Sequence, residues 1–221
     1  AIAASGLPRE ELYVTTKLGN DAHRPEDVRR TFAESLDRLG LDYLDLFLMH
    51  WPLPTRYDGD FVSTWQAMTE LLTEGRVRSV GVSNFEPAHL ERIIEATGVI
   101  PVVNQIEVHP YFANTAARAA SARHGIVVEA WSPLAQGAVH SDATLAGIGA
   151  QVGRTASQVA LRWHLQRGDV IFPKSMHRER MVENAAIGDF ELTDQQMATI
   201  DALDRGAEGR VGPHPDTFDW I

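Results

Sequence analysis

The feature that most constrains this chain is a regular alternation of two residue patterns. Runs of apolar, β-branched and aromatic residues recur at Leu12–Lys17, Tyr43–His50, Ser79–Asn84, Val102–Glu107, Ile126–Ser132 and Val170–Lys174. Several are apolar on successive residues, as in Leu46-Phe47-Leu48-Met49 and Val170-Ile171-Phe172. Strands of that kind are buried on both faces, as in a parallel sheet covered by helices. Between the runs the apolar residues take a helical period, as in Pro25–Leu39, Phe61–Thr73 and Pro87–Ala96. Pro25 and Pro87 stand where a first helical turn accepts proline. Thr155-Ala156-Ser157-Gln158 and Thr193-Asp194-Gln195-Gln196 have the form of capping boxes. Gly40, Gly75, Gly98, Gly125 and Gly168 follow helical stretches, where a left-handed residue ends a helix. Strands and helices in strict turn, joined by short connections, predict an α/β fold with a parallel sheet.

No linker or low-complexity stretch divides the 221 residues, so residues 1–221 read as a single domain. The opening Ala1-Ile2-Ala3-Ala4-Ser5-Gly6 has the form of the last turns of a helix with its capping glycine, and it carries no initiator Met. Six strands are counted. A (β/α)₈ TIM-type barrel typically takes about 250 residues. Such a barrel here lacks its first two βα units, each of roughly 30 residues. An open six-stranded sheet accommodates the same count.

The bulk properties exclude several classes of function. A formal net charge of -10 and a pI near 5.3, without any clustered Lys and Arg, argue against a nucleic-acid partner. There is no cysteine, which removes disulfides, thiolate catalysis and thiolate metal sites. The nine His residues never take HxxxH or HExxH spacing, so no metal is expected. No apolar run approaches the roughly 20 residues of a membrane span. The expectation is a cytoplasmic monomer whose partner is a small molecule. Gly147-Ile148-Gly149 with Gly153 comes within one residue of GxGxxG. It follows no strand, however, and Leu145, Ile148 and Val152 share a helical face, so it reads as helix.

In a parallel barrel the reactive groups gather at the C-terminal ends of the strands. Those ends here are Lys17, His50, Ser83-Asn84, Gln105, Trp131-Ser132 and Lys174-Ser175, each polar or charged. Taken singly, Lys17 is an ordinary exposed lysine, His50 a satisfied histidine and Trp131 a core residue. Six such ends in order call for a shared explanation.

Thr15-Thr16-Lys17-Leu18, Leu48-Met49-His50-Trp51-Pro52, Gly81-Val82-Ser83-Asn84-Phe85, Asn104-Gln105-Ile106-Glu107 with His109-Pro110-Tyr111, Trp131-Ser132-Pro133-Leu134 and Pro173-Lys174-Ser175 resemble consecutive signatures of the aldo-keto reductases. Trp131 and the tail Gly209-Arg210-Val211-Gly212-Pro213-His214-Pro215-Asp216 are most similar to the bacterial branch that contains 2,5-diketo-D-gluconate reductases. The resemblance implies reduction of an aldehyde or ketone to an alcohol by hydride from NADPH, with an Asp, a Tyr, a Lys and a His at the deep end of the pocket. It makes Lys17 the cation that lowers the Tyr pKa and His50 the group that orients the carbonyl oxygen. His50 and Trp51 are thereby substrate contacts. The family's Asp and Tyr belong to a segment before the helix that ends at Gly6. Tyr13, Tyr43, Tyr57 and Tyr111 match no such motif.

The same resemblance makes Ser83, Asn84 and Gln105 partners of the nicotinamide carboxamide and Trp131 the aromatic that stacks on its ring. Ser132 and Leu134 fall in the stretch around the pyrophosphate. Lys174, Ser175, Arg180, Glu183 and Asn184 fall in the adenosine-phosphate segment. Arg180 and Asn184 are four apart and share a helical face. Lys174 and Arg180 suit a 2′-phosphate, which favours NADP over NAD. The specificity loops after Pro52 and Tyr111 name no particular carbonyl compound. The alternative is an inactive NADP(H)-binding or interaction module, since the family's Asp and Tyr have no counterpart here.

Overall fold

The structure is a computed structural model that describes Ile2 and residues 4–221. Its elements run β1 (Thr15–Leu18), α1 (Pro25–Leu39), β2 (Leu46–Met49), α2 (Phe61–Thr73), β3 (Val80–Ser83), α3 (Pro87–Thr97), β4 (Val103–Glu107), α4 (Thr115–Arg123), β5 (Val127–Trp131), α5 (Ala143–Val152), α6 (Ala156–Gln166), β6 (Val170–Ile171), α7 (Arg178–Ala185) and α8 (Asp194–Asp201). The strands form one six-stranded sheet in the order of the chain. Among its pairings, β1–β2, β2–β3 and β5–β6 are parallel. Contacts divide the chain into two compact units, Ala1–Asn104 with His214–Ile221, and Gln105–Pro213.

In the first unit α1 begins at Pro25, carries Glu26 and Asp27 in its first turn and ends at Gly40, whose φ is 65°. A left-handed residue without a Cβ ends the helix at little cost. Val28, Phe32 and Leu36 repeat every four residues, and all three are buried. The Phe32 ring meets Phe47 of β2 edge to face at 5.2 Å. On the opposite face of β2, Leu46 and Leu48 pack with Val103. Thus β2 is buried on both sides, as its unbroken apolar run requires. Gly81 of β3 sits in a tight place between residues of β2 and β4. A Cβ there would stand 2.8 Å from both Leu48 Cδ2 and the Val103 carbonyl oxygen. α2 starts on Asp60, which accepts the Ser63 amide at 3.0 Å.

The second unit packs Ile106, Val108, Leu145, Val159, Trp163 and Ile200 into its core. Both expected capping boxes form, at Thr155/Gln158 and Thr193/Gln196. A third, Glu86/His89 on α3 of the first unit, was hidden because His takes the place of the usual acid or amide. Gly147 and Gly149 lie inside α5, as the helical spacing around them predicts.

Three expectations need adjustment. β6 spans only Val170–Ile171, so Lys174 lies past the strand and not at its end. Pro173 has no N–H for a ladder, and Phe172 is 46% exposed, so neither pairing nor burial extends the strand. β1 begins at Thr15, after a short 3₁₀ turn over Arg9–Glu11 that Leu12 closes. β2 begins at Leu46, because Asp45 ahead of it turns its buried carboxylate to the Val14 amide, Arg9 and Arg78. Of the proposed opening helix, Ala1 and Ala3 lie outside the described residues. Gly6 has the left-handed φ of 71°, and Ser5 N closes a turn on Ile2 O at 3.1 Å.

Candidate functional site

The parallel register pairs Lys17 with Leu48. Side chains alternate along a strand, so His50, two residues beyond Leu48, shares the face of Lys17. This is the face of Leu46 and Leu48, opposite the one that meets α1. Burial and the Lys17 charge together push the His50 pKa down to about 4. His50 is therefore a neutral imidazole at neutral pH, able to donate one N–H to an oxygen. The Asn84 amide holds the end of this strand, donating to the His50 carbonyl at 3.0 Å and to Ser83 Oγ at 3.1 Å. Asn84 takes φ 62°, a conformation that Asn tolerates better than most residues. Ser83 and Asn84 are both buried.

Trp51 is 7% exposed, and its ring lies 4.1 Å from that of Phe218. The tail is tied down beside it. Asn20 donates to the Trp220 carbonyl at 2.9 Å, and Arg56 donates to the Asp219 carbonyl at 3.0 Å. Phe218, which lies outside the motifs, thus packs on Trp51, the residue for which the resemblance implies a substrate contact.

His23 is a further residue that the sequence did not mark. It is 2% exposed, stacks on Tyr57 at 5.3 Å and has a buried Nε2 with no hydrogen-bond partner. Burial, with His50 acting in the same sense, pushes its pKa down to about 4. The loop after β1 brings it there. No spacing rule links it to His50.

The four tyrosines are engaged elsewhere. Tyr13 is 67% exposed and bonds Ser79, and Tyr43 carries the guanidinium groups of Arg9 and Arg78 on its ring. Tyr57 donates to the Asn20 carbonyl at 2.8 Å, and burial raises its pKa. Tyr111 donates to Asp142 at 2.9 Å, and burial together with that carboxylate pushes its phenol up to about 12. Tyr57 and Tyr111 are thus the opposite of phenols prepared to release a proton.

In the second unit, Leu134, Lys174, Ser175, Arg180, Glu183 and Asn184 line one cavity of about 530 Å³. Six of the residues nominated from the motifs are thereby brought together. His140 and Ser157 join them, with Ser157 Oγ 2.8 Å from His140 Nδ1. Neither was expected, because His140 lies in a segment without a motif and Ser157 in a capping box that marks only a helix start. α7 opens this cavity with no side-chain cap on its first turn, which leaves backbone amides for an anion. Glu183 is already held, accepting Thr155 Oγ1 at 2.6 Å. An adjoining cavity of about 430 Å³ is lined by Ser132, Pro133, Leu134, Gln136, Gly137 and Lys174, among others. Ser132 has φ 51°, so the chain turns sharply straight after β5. Gln105 donates to Glu129 at 2.7 Å, and Trp131 ends β5.

Residues 1–205 match the aldo/keto reductase family. The chain belongs to that family. An aldo-keto reductase of Mycolicibacterium smegmatis is 46% identical over 220 residues, covering 100% of this chain and 78% of the relative. The methylglyoxal reductase DkgA of Escherichia coli is 43% identical over 220 residues, covering 99% and 78%. A crystal structure of a Gox0644 mutant in complex with NADPH superposes with a TM-score of 0.92 at 45% identity, covering 96% of this chain and 77% of that one. The parallel α/β sheet is thus that of a reductase family whose solved members include a nicotinamide complex. No helix among the described residues is long and apolar enough to cross a membrane.

Proposed function

We propose that this chain serves an NADPH-dependent reduction of small aldehydes or ketones to alcohols, in the branch of relatives that includes DkgA. The observation that carries this reading is the cavity that gathers Lys174, Ser175, Arg180 and Asn184 at an uncapped helix start. Two cations beside free backbone amides are a site for a phosphate group. An Arg fork matches a phosphate in two contacts, which is why the 2′-phosphate of NADP(H) suits this cavity better than the 2′-hydroxyl of NAD(H). When bound, the dinucleotide supplies the hydride.

The chain's own residues bind and orient. Trp131 offers a ring face at the end of β5, and Ser83, Asn84 and Gln105 offer amide and hydroxyl groups at the ends of β3 and within β4. Neutral His50 donates a hydrogen bond to the substrate oxygen, and Lys17 shares its face of the sheet. Fixing the carbonyl in this way lowers the barrier through orientation. The proton donor is none of the four tyrosines, whose surroundings are described above. A binding module without chemistry is not favoured by relatives that carry reductase names.

The test is a pair of titrations of the full chain, with NADPH and with NADH, followed by an assay for NADPH oxidation with a reactive aldehyde. Saturable binding with NADPH clearly ahead of NADH is the expected result. Equal affinities, or no binding, would overturn the reading.

A further inference from the structure

Glu107, the last residue of β4, is 1% exposed and sits at the centre of a polar cluster. Its Oε1 accepts the Val211 amide at 2.6 Å, and its Oε2 accepts the Gly212 amide at 3.0 Å. His109 Nε2 lies 3.0 Å from Oε1, and the Glu107 carbonyl accepts Asn114 Nδ2 at 3.0 Å. Burial pushes this carboxyl up, but His109 and the two amides outweigh it and hold it below the usual carboxylate range. A buried carboxylate that grips two successive backbone amides is a fixed anchor, since bonds to a charged acceptor are roughly twice as strong as neutral ones.

The segment held by this anchor touches Trp131. A Cβ built on Gly212 would stand 2.4 Å from Trp131 Cη2 and 2.9 Å from Glu107 Oε2. Real Cβ atoms do not come so near, so the bare backbone of Gly212 lies flush against the edge of the indole. Gly212 is not among the glycines with positive φ, so it is needed for space and not for conformation. The motif ending in Glu107 and the Gly209–Asp216 tail, far apart in the chain, thus meet at the ring that closes β5.

We propose that Glu107 is a positioning residue for the cofactor's nicotinamide ring: by fixing Val211 and Gly212 against the edge of Trp131, it sets the orientation in which the indole receives that ring. The proposal rests on the reading of Trp131 as the stacking aromatic. It predicts that the anchor serves the nicotinamide end of the dinucleotide and not the phosphate cavity.

The experiment compares two ligands on the full chain, NADPH and adenosine 2′,5′-bisphosphate, which carries the phosphates without the nicotinamide. Glu107→Gln places an amide donor where two backbone N–H groups need acceptors. It should weaken NADPH by roughly tenfold, about the worth of one hydrogen bond, and leave the bisphosphate unchanged. Hydrogen exchange at the Val211 and Gly212 amides should accelerate in that variant. Gly212→Ala, which keeps every donor and acceptor of the anchor, should also weaken NADPH alone. Equal weakening of both ligands would reduce Glu107 to a structural tie and overturn the proposal. So would a Trp131→Ala variant that loses NADPH selectively while Glu107→Gln and Gly212→Ala do not. If Trp131→Ala itself leaves the ratio of the two affinities unchanged, the stacking reading fails and takes the proposal with it.

Discussion

Lys17 on β1 and His50, one residue past the neighbouring strand β2, share a face of the sheet, and the lysine charge adds to burial in holding the imidazole near pKa 4. Burial is the larger cause. Replacing Lys17 with Met should therefore raise the His50 pKa only part of the way towards the ordinary 6.5. Titration of the His50 ring protons by NMR reads this directly. An unchanged value in the variant would separate the two residues electrostatically.

Stability should depend on pH in a window set by buried histidines. His23 and His50 are pushed from 6.5 to about 4 in the folded chain, so between those values the unfolded chain binds protons that the folded chain refuses. Stability is fully present above about pH 6.5 and declines as the pH falls towards 4. His23→Asn should flatten part of that slope in a series of melting temperatures. A slope that survives intact would place the titration elsewhere.

Arg180→Ala should erase most of the preference for NADPH over NADH. Loss of a charge-assisted contact costs about 1.5–3 kcal/mol, or roughly 10-fold to 150-fold in affinity. NADH, which lacks the 2′-phosphate, should bind the variant and the parent alike. Equal NADPH affinity in both proteins would mean that Arg180 does not meet the phosphate.

Gly81→Ala should destabilise the first unit by about 1–3 kcal/mol through overpacking. One of the two atoms in its way, the Val103 carbonyl oxygen, is backbone and cannot rotate aside. A lower midpoint in a denaturant titration, with an unchanged slope, is the expected signature.

Arg118 caps a buried ion cluster, bonding Asp169, whose other carboxylate oxygen meets His164 at 2.9 Å. Arg118→Ala would leave buried Asp169 without its guanidinium partner, at a cost of about 3–5 kcal/mol. Arg30, by contrast, pairs with Asp27 and Glu34 on an exposed face of α1. Pairs of that kind contribute little, so Arg30→Ala should leave the melting temperature unchanged.

Much of this fold was legible because its signals are local. α1 and α2 span the residues that the apolar period indicates, and a proline or an acidic cap sets where each begins. Strands were less well bounded. An apolar run shows where burial occurs but not where the ladder stops, so the run Val170–Lys174 overshoots β6 by three residues and puts Lys174 on a strand end that the structure does not have. The motifs marked residues that the structure does gather, such as Lys174, Arg180 and Asn184 around one cavity. They were silent on His23, His140 and Ser157, which enter through loops or helix starts whose positions depend on packing between distant segments. Nor did they pair Glu107 with Gly212, since nothing at either position names the other.

Asn84 and Ser132 each follow a strand directly and each holds a positive φ, 62° and 51°. A left-handed backbone costs most side chains about 1–2 kcal/mol and costs β-branched ones the most. The substitutions open to these two positions are therefore narrowed by the main chain before any ligand is present. In a saturation library scored for folding alone, with no dinucleotide in the selection, both positions should already reject most of the alphabet and keep mainly Gly, Asn and Asp, with the native Ser retained at 132. Innovation in substrate choice would then have to come from the loops around these turns, while the turns themselves stay frozen.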